Sequence, residues 1–170
     1  MNTKKICITG LFMALICVAT LVFKIPIPGG YAHLGNGFIF LAGALLGGMG
    51  GAAAAGIGSA LADLLGGWYM WIIPTLIIKS IMGFVIGFIS PKVFTVKSLK
   101  TAVAVIIGMA EMVLGYVMAG IITMDTLAAS LTQLPGLISE GLVGIIIFYL
   151  IGCTLERSGA FMSIQNTKKK

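Results

Sequence analysis

Six apolar runs, at about 6–23, 37–49, 51–66, 73–90, 101–123 and 134–155, occupy most of the 170 residues of this chain. Lipid-facing backbone has to satisfy its own hydrogen bonds, so runs of this kind are read as transmembrane helices. The expected fold is an all-α integral membrane protein, a six-helix bundle forming a single domain over 1–170. With 59% hydrophobic and 9% charged residues, the chain cannot build the surface of a soluble globule. The second and third runs are short and meet across Gly47-Gly48-Met49-Gly50-Gly51. They are expected to form a tight helical hairpin, and short, glycine-interrupted spans point to the binding site in transporters.

Lysine and arginine set the orientation. Counting alternate sides, Lys4, Lys5, Lys92, Lys97, Lys100, Arg157 and Lys168 to Lys170 share one side, nine basic residues against Lys24 alone on the other. Both termini are therefore expected in the cytoplasm of a multi-pass cell-membrane protein. The same clustering next to span ends accounts for the net charge of +6, and nucleic acid is not an expected partner. Lys4 and Lys5 ahead of an apolar stretch imitate a signal peptide. No small-residue cleavage site leads into a polar region, so the stretch is read as the first span. Cys7, Cys17 and Cys153 are scattered without disulfide or zinc spacing and read as packing residues.

Four charges lie inside the apolar runs: Asp63, Lys79, Glu111 and Glu140. Each at a span centre costs about 2.5–3.5 kcal/mol on insertion scales, so four unpaired ones approach a penalty of about 10 kcal/mol. Pairing is expected. At 1.5 Å per residue, Lys79 and Glu140 come to lie roughly 8 Å below the outer surface, with Asp63 about one turn inside it. Glu111, roughly 18 Å down, is either a floor to that layer or belongs elsewhere. Two readings fit the outer three: an ion pair from Lys79 to Asp63 or Glu140 that stitches helices together, or a polar pocket open outward. The pocket reading draws in Tyr31, His33 and Asn36 from the long proline-punctuated outward loop, a possible lid, and Trp68 and Tyr69 from the next turn. Those aromatics, with Trp71, suit either an interfacial belt or a stacking platform. Pro74 is expected close to the start of span four.

Small residues follow the same faces. Gly108, Glu111, Gly115 and Ala119 share one face of span five, and Gly136, Glu140 and Gly144 one face of span six, where backbones can approach closely. In span one, Gly10 and Ala14 at i, i+4 suit either ordinary packing or docking of a partner helix. Chemistry narrows the function classes. There is no nucleophile with a base, one histidine cannot build a typical metal cage, and the phosphate-binding Gly-x-x-x-x-Gly-Lys-Ser/Thr loop is absent, so neither an enzyme nor a self-energised pump is expected and no cofactor is implied. The classes left are a membrane binding protein, a standalone secondary carrier of a small polar metabolite, and a structural or assembly subunit. No internal repeat supports the carrier.

Pro-Ile-Pro-Gly-Gly-Tyr-Ala-His-Leu-Gly-Asn (26–36), Ala-Gly-Ile-Gly-Ser-Ala-Leu-Ala-Asp-Leu-Leu (55–65) and Pro-Thr-Leu-Ile-Ile-Lys (74–79) resemble the S component of an energy-coupling factor (ECF) vitamin transporter. The resemblance implies a six-helix subunit of a bacterial or archaeal plasma membrane. It would capture a vitamin or precursor from outside and deliver it inward with a transmembrane coupling subunit and two cytoplasmic ATPases. It implies a pocket at the outer ends of the helices, covered by the first outward loop, and a docking face on helix one. Relatives often carry an acidic residue where Asn36 stands, and their Ala-x-x-x-Ala docking signature is here Gly10 and Ala14. The motif set is associated with small pyrimidine or pyridine compounds, such as hydroxymethylpyrimidine or vitamin B6 forms, with riboflavin and pantothenate also open.

Overall fold

A computed structural model of the chain describes residues 3–27 and 30–159, so the basic tail Lys168 to Lys170 lies outside the described residues. In chain order the elements are α1 (Thr3–Val22), a hairpin of β1 (Lys24–Ile27) and β2 (Gly30–His33), α2 (Gly35–Leu46) and α3 (Gly48–Leu65). A 3₁₀ turn (Tyr69–Trp71) then leads into α4 (Ile72–Ile89), followed by α5 (Leu99–Thr123), the short α6 (Leu127–Leu131) and α7 (Leu134–Arg157). Among the described residues, five helical stretches are long and apolar enough to cross a membrane.

The second apolar run departs from the six-span expectation. α2 has 12 residues, about 18 Å of helix, against a hydrocarbon core of about 30 Å. Its shortness is tolerated because it is central: every residue but Phe38 is buried, and α1, α3, α4 and α7 pack around it. Its ends therefore face protein rather than lipid. The outer helices show the opposite pattern, with Phe88, Ile122 and Leu150 exposed on the outside of the bundle.

The turn between α2 and α3 is tighter than the five-residue segment suggested. It is made at Gly47 alone, whose φ of 78° and ψ of 176° are open essentially to glycine only. Beyond it, α2, α3 and α4 approach to backbone contact. A Cβ built on Gly51 would lie 2.6 Å from Gly43 Cα and 2.7 Å from Gly83 O, so the glycines are what let three helices share one seam. Span four begins at Ile72, two residues before Pro74; the proline falls at the third helical position, where its missing N–H is still one of the helix's orphans. The outward loop is an antiparallel hairpin with Lys24 opposite His33, so the architecture is helical with one small β element. Pro26 is tolerated there because both strands of this two-stranded sheet are edge strands.

The end of the bundle near the termini is closed. Phe94 and Val96, from the segment between α4 and α5, are buried, and Phe94 meets Phe148 edge-on at 6.1 Å between ring centres while Phe148 meets Phe40 at 6.2 Å. Glu156 accepts a hydrogen bond from Thr95 Oγ1 (2.6 Å) and one from the Val96 N–H (3.3 Å), fastening this segment to the end of α7.

Candidate functional site

The open end is the other one. There the C-terminal ends of α1 and α3, the hairpin, the N-terminal ends of α4 and α7, and the C-terminal half of α5 surround a cavity of about 100 Å³ that opens to the surface. Ligand sites generally combine an apolar wall with a few convergent polar groups, and this one does. Thr20, His33, Ser59, Asp63, Thr75, Lys79, Gln133 and Glu140 supply the polar lining, and Trp68, Trp71, Tyr116 and Leu137 the apolar one.

Lys79 is the centre of the polar network. Only 1% exposed, it donates from Nζ to Asn36 Oδ1 (2.7 Å) and Glu140 Oε1 (3.0 Å), and touches Met112 Sδ (3.1 Å). Its ammonium also stands 5.2 Å from the centre of the Tyr116 ring. All three ammonium protons thus have partners, which is the condition for a lysine at this depth. Asn36 is held on the buried α2, and its Nδ2 donates to the same Met112 sulfur (3.2 Å). The ion pair joins α4 to α7, so of the two carboxylates open to Lys79 in the sequence, the fold selects Glu140.

His33 extends the network from the hairpin. The Gly35 N–H donates to His33 Nδ1 (3.2 Å), which places the ring proton on Nε2, and Nε2 donates to Glu140 Oε1 (3.1 Å). Burial lowers the imidazole from its ordinary 6.5 to about 4, in spite of the upward pull of the Glu140 carboxylate. His33 is therefore neutral at physiological pH and acts as a fixed donor. On the adjoining face the Thr75 and Tyr116 hydroxyls are hydrogen-bonded to each other at 3.0 Å.

The α1–α3 wall is different. Thr20 Oγ1, Ser59 Oγ and Asp63 Oδ2 are buried and make no hydrogen bond. A buried polar group left in that condition costs about 1–3 kcal/mol. Lys24, opposite His33 in the hairpin, reaches the rim above this wall, where a Cβ on Gly66 would lie 3.2 Å from its Nζ.

Several expectations are corrected. Tyr69 is 69% exposed and off the cavity, whereas Trp71 lines it: the 3₁₀ turn places residues three apart on one side, so Trp68 pairs with Trp71 and Tyr69 faces out. Glu111 is neither floor nor lining, since Met112, one residue on, turns toward Lys79; Glu111 Oε2 is buried without a hydrogen bond. The glycines of its supposed face pack on α4 instead, with Gly108 against Ile86 and Gly115 against Ile78. Asn36 sits behind Lys79 rather than on the cavity surface. Tyr31 lies in β2, and its side chain is outside the described residues. Gly10 and Ala14 are on the exposed face of α1, with nothing within 4 Å of a Cβ built on Gly10. Thr20, Thr75, Tyr116 and Gln133 are lining residues that sequence reasoning passed over. The available signal was positional, a polar residue within the outer turns of an otherwise apolar helix.

An apolar helical bundle with one closed end and one polar, aromatic-walled cavity at the other defines an integral membrane protein built around a small-molecule site. The family comparison makes this specific. The model of the family described as the ECF-type riboflavin transporter, S component, matches residues 1–157, and the chain belongs to that family. It is accordingly a substrate-specific membrane subunit of a vitamin transporter and not an enzyme. A protein of Pyrococcus woesei described as an uncharacterized protein in the gap 3' region is 38% identical over 104 residues, which cover 60% of this chain and 68% of that relative.

Proposed function

We propose that this S component captures a flat heteroaromatic vitamin or vitamin precursor, of the size and polarity of hydroxymethylpyrimidine or a vitamin B6 form, in the cavity between the hairpin, α3, α4 and α7. The observation that carries the reading is the convergence of two kinds of wall. Trp68, Trp71 and Tyr116 offer ring faces, while Asp63, Lys79, Glu140 and His33 offer charge and hydrogen bonds within the same space. Trp71 and Tyr116 are already in contact, 5.8 Å between ring centres and tilted by 51°, as two sides of one aromatic corner. Riboflavin is the second reading, favoured by the description of the matching family. It too is flat, but brings a polyhydroxyl chain that needs a longer polar track.

In this proposal the outer end of the bundle is extracellular and both termini are cytoplasmic, supported by the nine-to-one distribution of basic residues. α2 counts as the sixth span, carried through the membrane inside its neighbours. Energy comes from a transmembrane coupling subunit and two cytoplasmic ATPases, with the exposed Gly10–Ala14 face of α1 as the docking surface. Mass spectrometry of small molecules released from the purified subunit is the direct test, with a heteroaromatic ring compound as the expected result. A non-aromatic ligand would refute the stacking role of the tryptophans. Vesicles containing the subunit alone are expected to bind substrate without accumulating it; ATP-independent uptake would favour a standalone carrier.

A further inference from the structure

Among the described residues, five buried side-chain atoms lack a hydrogen-bond partner, and three of them, Thr20 Oγ1, Ser59 Oγ and Asp63 Oδ2, line the cavity. They belong to one wall. Ser59 and Asp63 are four residues apart on α3, hence on one face of it, and α1 packs against α3 to bring Thr20 alongside. All three residues are more than nine-tenths buried: Thr20 and Ser59 are 2% exposed and Asp63 6%. The facing wall has no comparable deficit, because Lys79, Glu140, His33 and Asn36 bond to one another and Thr75 bonds to Tyr116 and to the Asp63 carboxylate, which leaves Oδ2 as the open oxygen of Asp63.

The two walls therefore ask different things of a ligand. Lys79 and Glu140 neutralise each other across a 3.0 Å pair, and His33 is held as a neutral donor. An ionised Asp63 can only accept, while each hydroxyl can donate or accept. A ligand edge that satisfies this set presents an N–H to Asp63 and, next to it, an atom able to accept from the Ser59 hydroxyl. An amino group attached to a ring carbon beside a ring nitrogen has that pattern. An edge carrying only carbonyl or ether oxygens would set its lone pairs against the carboxylate.

We propose that Thr20, Ser59 and Asp63 form the specificity wall of the site and select a substrate by an amino-substituted nitrogen-heterocycle edge. The proposal rests on the cavity being the substrate site, and narrows the substrate within the flat-ring class to amino-bearing members.

The test is calorimetric titration of the purified full chain in detergent with four probes. These are hydroxymethylpyrimidine, its analogue with a hydrogen in place of the amino group, riboflavin, and aminomethylcyclohexane, an amine with no aromatic face. The amino compound is expected to bind about tenfold or more tighter than its analogue lacking the amino group, which has no N–H to offer Asp63, a preference that the unaltered chain reveals without any substitution. Asp63→Asn, which keeps the shape and adds a donor, is expected to erase that preference, and Ser59→Ala to weaken the amino compound by roughly three- to tenfold. If the analogue lacking the amino group, or riboflavin, binds as tightly as the amino compound or tighter, the wall does not select as proposed and the flat-ring reading stands. If only aminomethylcyclohexane binds, and loses affinity in Asp63→Asn, the flat-ring reading falls together with the ring-nitrogen part of the proposal, leaving Asp63 as an amine acceptor. If none of the four binds, the amino-edge proposal is overturned, and the flat-ring reading then stands or falls on the identity of the molecule released from the purified subunit.

Discussion

At the scale of single residues, Lys79 illustrates why a charge inside an apolar run is informative. Its burial is tolerated only through partners on three other helices, Asn36 on α2, Met112 on α5 and Glu140 on α7. Removing one member of a buried pair leaves the other unpaired, which costs about 3–5 kcal/mol. Lys79→Met is therefore expected to lower both thermal stability and ligand affinity. The double variant Lys79→Met/Glu140→Gln separates the two, because neither partner of the pair is left charged: stability should largely return while affinity does not, as read by thermal unfolding and titration on the same preparations. Full recovery of affinity would assign the pair to architecture alone. His33 gives a pH dependence whose sign follows from its lowered pKa. Between about 4 and 6.5, an imidazole released by unfolding takes up a proton that the folded one refuses. The contribution of His33 to stability is thus complete above pH 6.5 and declines as pH falls through that window. His33→Gln, which keeps a donor but does not titrate, should flatten the acid side of a melting-temperature profile measured in detergent; an unchanged slope would show that other groups set it.

At the scale of elements, the glycine seam does what side-chain packing does in a soluble core. α2, α3 and α4 meet through Gly43, Gly51 and Gly83, so Gly51→Val has no direction in which to place its methyl groups except into the backbone of α2 or α4. Overpacking of this kind costs about 1–3 kcal/mol and displaces helices. Because α4 carries Lys79, the variant should lose affinity as well as stability. Gly47→Ala acts differently, by forcing a non-glycine residue into a backbone region nearly closed to it, at about 1–3 kcal/mol. It should reduce the unfolding midpoint with less effect on the dissociation constant. The helix pattern was legible in the chain because apolar runs are continuous, and so was the turn near Gly47. That α2 is wrapped by four other helices was not legible, since a run that is apolar on every side reads alike whether it faces lipid or protein. The hairpin was also missed as β structure, because two four-residue strands depend on pairing with each other rather than on any local periodicity.

At the scale of the whole molecule, the two ends of the bundle have separate tasks. One end is sealed by Phe40, Phe94 and Phe148 and fastened by Glu156, while the other holds the cavity. The exposed stripe of α1 at Gly10 and Ala14 makes no contribution to either. If that stripe is the docking surface proposed above, Gly10→Leu with Ala14→Leu should leave ligand affinity of the isolated subunit within about twofold and abolish ATP-driven uptake in vesicles reconstituted with the proposed coupling subunit and ATPases. Intact uptake would move the docking surface elsewhere. The sequence alone determined that the chain lives in a membrane as helices and that Asp63, Lys79 and Glu140 were the residues to watch, because the energetic penalty on an intramembrane charge depends on little beyond its position in an apolar run. Tertiary structure alone decided that Glu140 rather than Asp63 pairs with Lys79, that Met112 rather than Glu111 turns toward it, and that Trp71 rather than Tyr69 faces the cavity. The first of those choices is a matter of which helix packs beside α4, and the other two are rotations of one or two residues around a helix axis. Such a rotation is set by which neighbour packs where, and no local pattern in the chain encodes it.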